Sequence, residues 1–274
     1  MPKIAAAQMI SSASIKENLK QVEEFFIEAK EQQVELLVLP ENFAFMGIKD
    51  TDILQTAETY HDGEIQNKIS HFAKLYGLWV IAGTLPLKGL DRVRASCLVF
   101  DNKGLCVARY DKIHLFDVQV SDKKHAESAN VERGDELVVV DTPVGRVGLS
   151  VCYDLRFPEL YQQLVQRGAE ILTVPSAFTA VTGLAHWEVL LRARAIENLC
   201  YVVAPNQGGL HENKRQTYGH SMIIEPWGKV LRCREQGVGL ISADIDLLRI
   251  MHLRAEFPCN EHHVLITTVS QVDV

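Results

Sequence analysis

At 274 residues, with 47% apolar and 23% charged side chains, the chain has the composition of a soluble enzyme and the length for one large α/β domain or two small ones. A formal net charge of −7 and a pI near 5.8 exclude a general basic field, so neither nucleic acid nor an anionic membrane is expected as the main partner. An anionic substrate would need its own local arginines or lysines.

No signal segment and no apolar run of membrane-spanning length stands out, which points to a cytoplasmic protein. Six cysteines, at 97, 106, 152, 200, 233 and 259, lack paired C-x-x-C spacing and read as reduced thiols. His262 and His263 lie close to Cys259, but nothing around them has the spacing of a zinc site, so no metal is expected.

Residues 3–9 (KIAAAQM) form a first predicted strand, and 14–31 an amphipathic helix with Ile15, Leu19, Val22, Phe26 and Ala29 on one face. Residues 35–39 (ELLVL) are a strongly apolar strand that ends in Pro40-Glu41-Asn42, so a carboxylate emerges at the C-terminal end of a core strand. Open α/β sheets place their active sites at such ends. A helix over 65–75 and a strand over 77–83 follow. Strands 95–100 and 105–110 are joined as a hairpin across Asp101-Asn102-Lys103-Gly104. The second runs into 111–116 (DKIHLF), where Lys112 leaves a strand end.

Residues 121–134 are polar and read as an excursion over the surface, with Glu127 solvated within it. A strand over 136–140 and a Pro143-Val144-Gly145 turn lead into the apolar strand 146–151 (RVGLSV). Cys152 follows directly, and Pro158 sits where the first turn of the helix PELYQQLVQ begins. On such a strand-to-helix turn, free N–H groups and the helix dipole favour thiolate over thiol and can hold an oxyanion. A strand over 171–174, a loop over 175–183, a helix from about 185 to 197, and strands 201–204, 221–225 and 239–244 complete the chain, with 226–229 turning between the last two. No linker, composition shift or repeat of 20–50 residues divides it, so a single domain with a mixed sheet is expected.

Three strand ends thus carry an acid, an amine and a thiol. If the sheet brings them together, Glu41 can take the thiol proton, Cys152 can attack a carbonyl or nitrile carbon, and Lys112 with the Tyr153 backbone N–H can neutralise the tetrahedral oxygen. Histidine is not needed.

The segments LPENF (39–43), RYDKIHLFD (109–117) and SVCYDLRFPELY (150–161) resemble the Glu, Lys and Cys motifs of the nitrilase, or carbon–nitrogen hydrolase, superfamily. HWEVLLRARAIEN (186–198) and YGHSMIIEPWGKV (218–230) look most like its Nit1 branch, which includes the deaminated glutathione amidases. The resemblance covers essentially the whole chain. It implies a four-layer α-β-β-α sandwich over 1–274, with 257–274 as a C-terminal tail, assembled as a homodimer or larger homo-oligomer and working without cofactor or metal. It also implies that Glu127 is a second catalytic glutamate holding Lys112. By the same analogy Arg156 meets a substrate carboxylate, and Phe178 and Thr182 line the pocket with Tyr153.

The implied activity is hydrolysis of the terminal amide of a small carboxylated substrate to acid and ammonia through a cysteinyl thioester, with deaminated glutathione as the substrate. An ω-amidase acting on α-ketoglutaramate is the alternative within the same chemistry. The loop 206–218, with His211, Lys214 and Arg215, could receive the extra glycyl carboxylate of the larger substrate. From other classes, a non-catalytic scaffold has no physical need for the combination Glu41, Lys112, Cys152 and Glu127, and a redox sensor would want a resolving cysteine near Cys152.

Overall fold

The computed structural model describes residues 1–120 and 123–264. In chain order, β1 (Lys3–Gln8), α1 (Ile15–Glu31), β2 (Leu36–Val38), α2 (Glu64–Tyr76), β3 (Trp79–Lys88), β4 (Val93–Phe100) and β5 (Cys106–Asp111) form the first half. The short pair β6 (Asp117–Val120) and β7 (Lys123–Ala126) follows. The second half comprises β8 (Val139–Thr142), β9 (Gly145–Leu149), α3 (Pro158–Gln166), β10 (Ile171–Thr173), α4 (Ala180–Asn198), β11 (Tyr201–Ala204), β12 (Ser221–Ile224) and β13 (Val230–Arg234). β14 (Gly239–Asp244) returns to the first sheet, and α5 (Leu247–Glu256) ends the regular structure.

Among the described residues there are two six-stranded sheets, ordered β14-β1-β2-β3-β4-β5 and β13-β12-β11-β10-β9-β8. In the first, β1, β2 and β3 are parallel, while β14 on one side and β4 and β5 on the other add antiparallel. The second repeats the scheme: β9, β10 and β11 are parallel, and β8, β12 and β13 add antiparallel. α1 and α2 occupy the parallel crossovers of the first sheet, α3 and α4 those of the second.

Alternation along the strands makes the layers. Ile4, Ala6, Leu36 and Val38 share one core with Val147, Leu149 and Val203 of the other sheet. The intervening Ala5, Ala7, Leu37 and Leu39 pack instead with Phe26 of α1 and Phe72 of α2. A strand apolar on both faces is what a sheet covered on both sides requires, and each fully buried Leu, Ile or Phe contributes about 1.5–3 kcal/mol. α3 and α4 cover the far side through Leu160, Leu164, Trp187 and Leu191, giving the expected α-β-β-α sandwich.

Several expected boundaries move. α4 starts at Ala180, because the Thr179 side chain caps it by accepting the Thr182 N–H; Thr182 therefore stands in a helical first turn, not in a loop. The 226–229 turn leads into β13, a half-exposed strand whose weak alternation hid it. Phe257 packs edge-on against Trp227 at 5.8 Å, and the tail from 265 onward lies outside the described residues.

Candidate active site

Each candidate sits just past a strand end: Glu41 after the central β2, Cys152 after β9, Lys112 after the edge strand β5, and Glu127 after β7. β2 gives way to Leu39-Pro40-Glu41, and the next residue, Asn42, turns left-handed at φ 58° while its N–H donates to Thr84 Oγ1 at 2.9 Å. Gly83 of β3 passes so close that a Cβ there would overlap the Pro40 carbonyl oxygen. On α1, Asn18 Nδ2 donates to the Ala44 carbonyl at 2.8 Å and pins the loop that follows.

After β9, Cys152 itself adopts φ 48°, a conformation costing an L-residue about 1–2 kcal/mol and held by what surrounds it. The Cys152 N–H donates to the Pro175 carbonyl at 3.0 Å. The fully buried Asp154 carboxylate accepts the Val151 N–H at 2.8 Å. The same carboxylate accepts the Tyr110 hydroxyl at 2.6 Å and the His114 N–H at 3.0 Å. Asp154 thus ties the cysteine turn to residues on either side of Lys112. His114 stacks on Phe157 with centroids 3.6 Å apart and bonds Asp154 through Nδ1 at 2.7 Å, which commits its ring to the cysteine turn.

The three candidates converge. Lys112 Nζ donates to Glu41 Oε1 at 2.8 Å and to both Glu127 carboxylate oxygens at 2.9 Å. Glu41 Oε2 accepts the Ala177 N–H at 2.8 Å, and the carboxylate stands close enough to the Cys152 thiol for each to shift the other's pKa. Glu127 further accepts the Phe116 N–H at 2.6 Å. The sequence reading that left Glu127 solvated is therefore corrected: its segment folds back over the sheet end, and Glu127 meets the buried ammonium. Polar periodicity carries no signal for such a role, which only the resemblance supplied.

Two carboxylates and one ammonium leave this buried cluster with an excess negative charge. Burial pushes the Cys152 thiol well above its ordinary pKa, the Glu41 carboxylate adds to the rise, and Lys112 only partly opposes it. The thiolate expected from the strand-to-helix turn is thus corrected to a resting thiol that needs a base. For Glu41 burial acts to raise the pKa, but the Lys112 charge and the hydrogen bonds from Lys112 and Cys152 outweigh it and hold the carboxyl ionised below its ordinary range. Burial likewise works against the Lys112 ammonium, yet Glu127, Glu41 and Cys152 raise its pKa well above that of a free lysine. At neutral pH the carboxylate and the ammonium are therefore charged while the thiol keeps its proton.

A cavity of about 810 Å³ opens onto this cluster. Glu41, Lys112, Glu127, Cys152, Tyr153, Phe178 and Thr182 all line it. Arg156 does not: its guanidinium lies against His186 Nδ1 at 3.3 Å and over the Tyr153 and Phe178 rings at 5.7 and 5.4 Å, so it braces the wall. From the polar stretch read as a surface excursion, Lys124, His125, Ala126, Glu127, Asn130 and Val131 line the cavity, with Val120 just ahead of it. β6 and β7 make that stretch one of its walls.

A carbon-nitrogen hydrolase profile matches residues 3–255. The chain belongs to the carbon-nitrogen hydrolase family, enzymes of the nitrilase superfamily. It is 40% identical over 271 residues to a protein of Yersinia enterocolitica named deaminated glutathione amidase, across 97% of this chain and 94% of the other. It is 44% identical over 276 residues to a Dictyostelium discoideum protein of the same name, with 97% and 94% covered. The crystal structure of the Caenorhabditis elegans NitFhit protein superposes with a TM-score of 0.90 at 41% identity, over 96% of this chain and 65% of that one. Saccharomyces cerevisiae Nit3, a member of branch 10 of the nitrilase superfamily, superposes with a TM-score of 0.85 at 28% identity, over 94% of both chains.

Proposed function

We propose that this chain is an amidase that cleaves a carboxylated amide through a cysteinyl thioester on Cys152, with deaminated glutathione as its substrate. The observation that carries the reading is the Glu41–Lys112–Glu127 cluster lining one cavity together with Cys152. Tyr153, Phe178 and Thr182 supply the walls in this reading, and Arg156 holds two of those rings.

Glu41 takes the thiol proton as sulfur attacks the amide carbon, and the carbonyl π pair moves onto oxygen, where the Lys112 ammonium and the Tyr153 N–H offset its charge. Collapse expels the amine with the proton from Glu41 and leaves the thioester. Glu41 then deprotonates water, which attacks the thioester, and the acid leaves as the proton returns to sulfur. Glu127 keeps Lys112 aimed and takes no proton in the cycle.

The leaving group depends on the amide. A primary ω-amide releases ammonia, whereas deaminated glutathione, whose amide nitrogen belongs to cysteinylglycine, releases that dipeptide; the expectation of ammonia is corrected on this ground. The relatives named for deaminated glutathione support the larger substrate. So does the cavity, since α-ketoglutaramate has about half the roughly 20 non-hydrogen atoms of deaminated glutathione and would leave such a volume largely unfilled. A homo-oligomeric enzyme of the cytoplasm belongs to the same reading. Leu184 and Val189 of α4, 78% and 70% exposed, offer apolar surface for a second copy. The test is a mass-resolved product assay: equimolar α-ketoglutarate and cysteinylglycine support the reading, and turnover of α-ketoglutaramate with none of deaminated glutathione would replace it by the ω-amidase.

A further inference from the structure

Besides the catalytic cluster, a half-buried arginine and an exposed lysine, Arg215 and Lys214, line the cavity. Arg215 lines the cavity, and its Nη2 donates to the Ala177 carbonyl at 2.8 Å, but its Nε is buried with no hydrogen-bond partner among the described residues. The Arg215 Nη1 takes no acceptor among the described residues and, unlike Nε, is not enclosed, so that end of the guanidinium is free to meet a ligand in the cavity.

The loop that presents Arg215 is built for position. Its N–H donates to Asn213 Oδ1 at 2.9 Å and its carbonyl accepts the His211 N–H at 2.9 Å. Asn213 Nδ2 reaches across to the Gly47 carbonyl at 2.8 Å. Lys214, also lining the cavity, is held left-handed at φ 63°, a conformation that in a non-glycine residue marks a constrained site.

The direction follows from Ala177, whose carbonyl accepts Arg215 and whose N–H donates to Glu41. One residue of backbone therefore separates the guanidinium from the group that hands a proton to the departing nitrogen, and Arg215 adds to the positive field on Glu41. We propose that Arg215, with Lys214 beside it, captures a carboxylate carried by the leaving amine, so that amides of amino acids or dipeptides with a free C-terminus are selected over primary amides. This rests on the amidase reading and names its specificity residue. Guanidinium suits the role through two parallel N–H donors to one carboxylate.

The test compares kcat/KM of the full-length protein for deaminated glutathione, for the same compound capped as its C-terminal glycinamide, and for α-ketoglutaramate. The cap should cost the wild type roughly 10- to 100-fold, mainly through KM. In Arg215→Ala the ratio of uncapped to capped substrate should collapse toward one, and Arg215→Lys should restore part of it. A wild type indifferent to the cap, or an Arg215→Ala protein that keeps the full ratio, overturns the proposal while the amidase reading stands. A wild type that hydrolyses none of the three compounds overturns the amidase reading and this proposal together.

Discussion

Glu41 and Lys112 meet at 2.8 Å in the protein interior although 71 residues separate them in the chain. Their meeting depends on β2 and β5 both stopping at one end of the first sheet, while Cys152 arrives from β9 of the second. The Glu41–Lys112–Cys152 cluster is therefore a product of sheet packing.

The Lys112 ammonium lies between two carboxylates. Lys112→Met leaves Glu41 and Glu127 facing each other without a cation, which should cost about 3–5 kcal/mol of stability and raise the Glu41 pKa. The double variant Lys112→Met, Glu127→Gln removes one of the repelling charges and should recover part of that stability in denaturant titrations. It should remain inactive, because the oxyanion has lost its cation.

The pH dependence follows from the shifts. Glu41 is depressed in the folded state, so its contribution to stability is complete above the ordinary carboxylate pKa and is lost as pH falls through the folded value. Lys112 is raised, so its contribution is present below the ordinary lysine pKa and is lost as pH rises through the folded value. With the Cys152 thiol pushed up as well, kcat/KM should be flat across neutral pH, with an acid limb only below the ordinary carboxylate range and no thiol titration near pH 8. A bell centred on a pKa near 7 would show a base other than Glu41.

Asp154 organises the nucleophile without facing the substrate cavity. Asp154→Asn turns one acceptor oxygen into a donor opposite the Val151 N–H or the Tyr110 hydroxyl, which should cost about 2–4 kcal/mol. Since the Cys152 turn shifts relative to Lys112, kcat should fall more than tenfold with KM changing little; an unchanged kcat in a folded variant would show that the turn holds its shape without this carboxylate.

Much of this site was legible in the sequence because strand ends are. Glu41 and Cys152 each follow a short apolar run, and Lys112 follows a hairpin strand; the end of a strand is where a sheet delivers a side chain. Glu127 and Asp154 were not legible from pattern, since neither lies at a periodic position and both act through contacts between distant segments. The thiolate was misjudged because the turn suggested free N–H groups, whereas the Cys152 N–H is already bound to Pro175 and a carboxylate stands beside the sulfur. Arg156 was drawn toward the substrate by analogy, but three aromatic neighbours, His186, Tyr153 and Phe178, hold it in the wall. The Gly83 approach to Pro40 shows a further signal, a glycine inside a strand marking where backbone must pass close to backbone.

The most direct measurement is the mass of Cys152 during turnover. In acid-quenched, proteolysed enzyme mixed with deaminated glutathione, the peptide containing Cys152 should carry the α-ketoglutaryl group, and Cys152→Ala should show neither the adduct nor more than about a thousandth of the activity. An adduct on another residue, or substantial turnover by Cys152→Ala, would contradict the thioester mechanism.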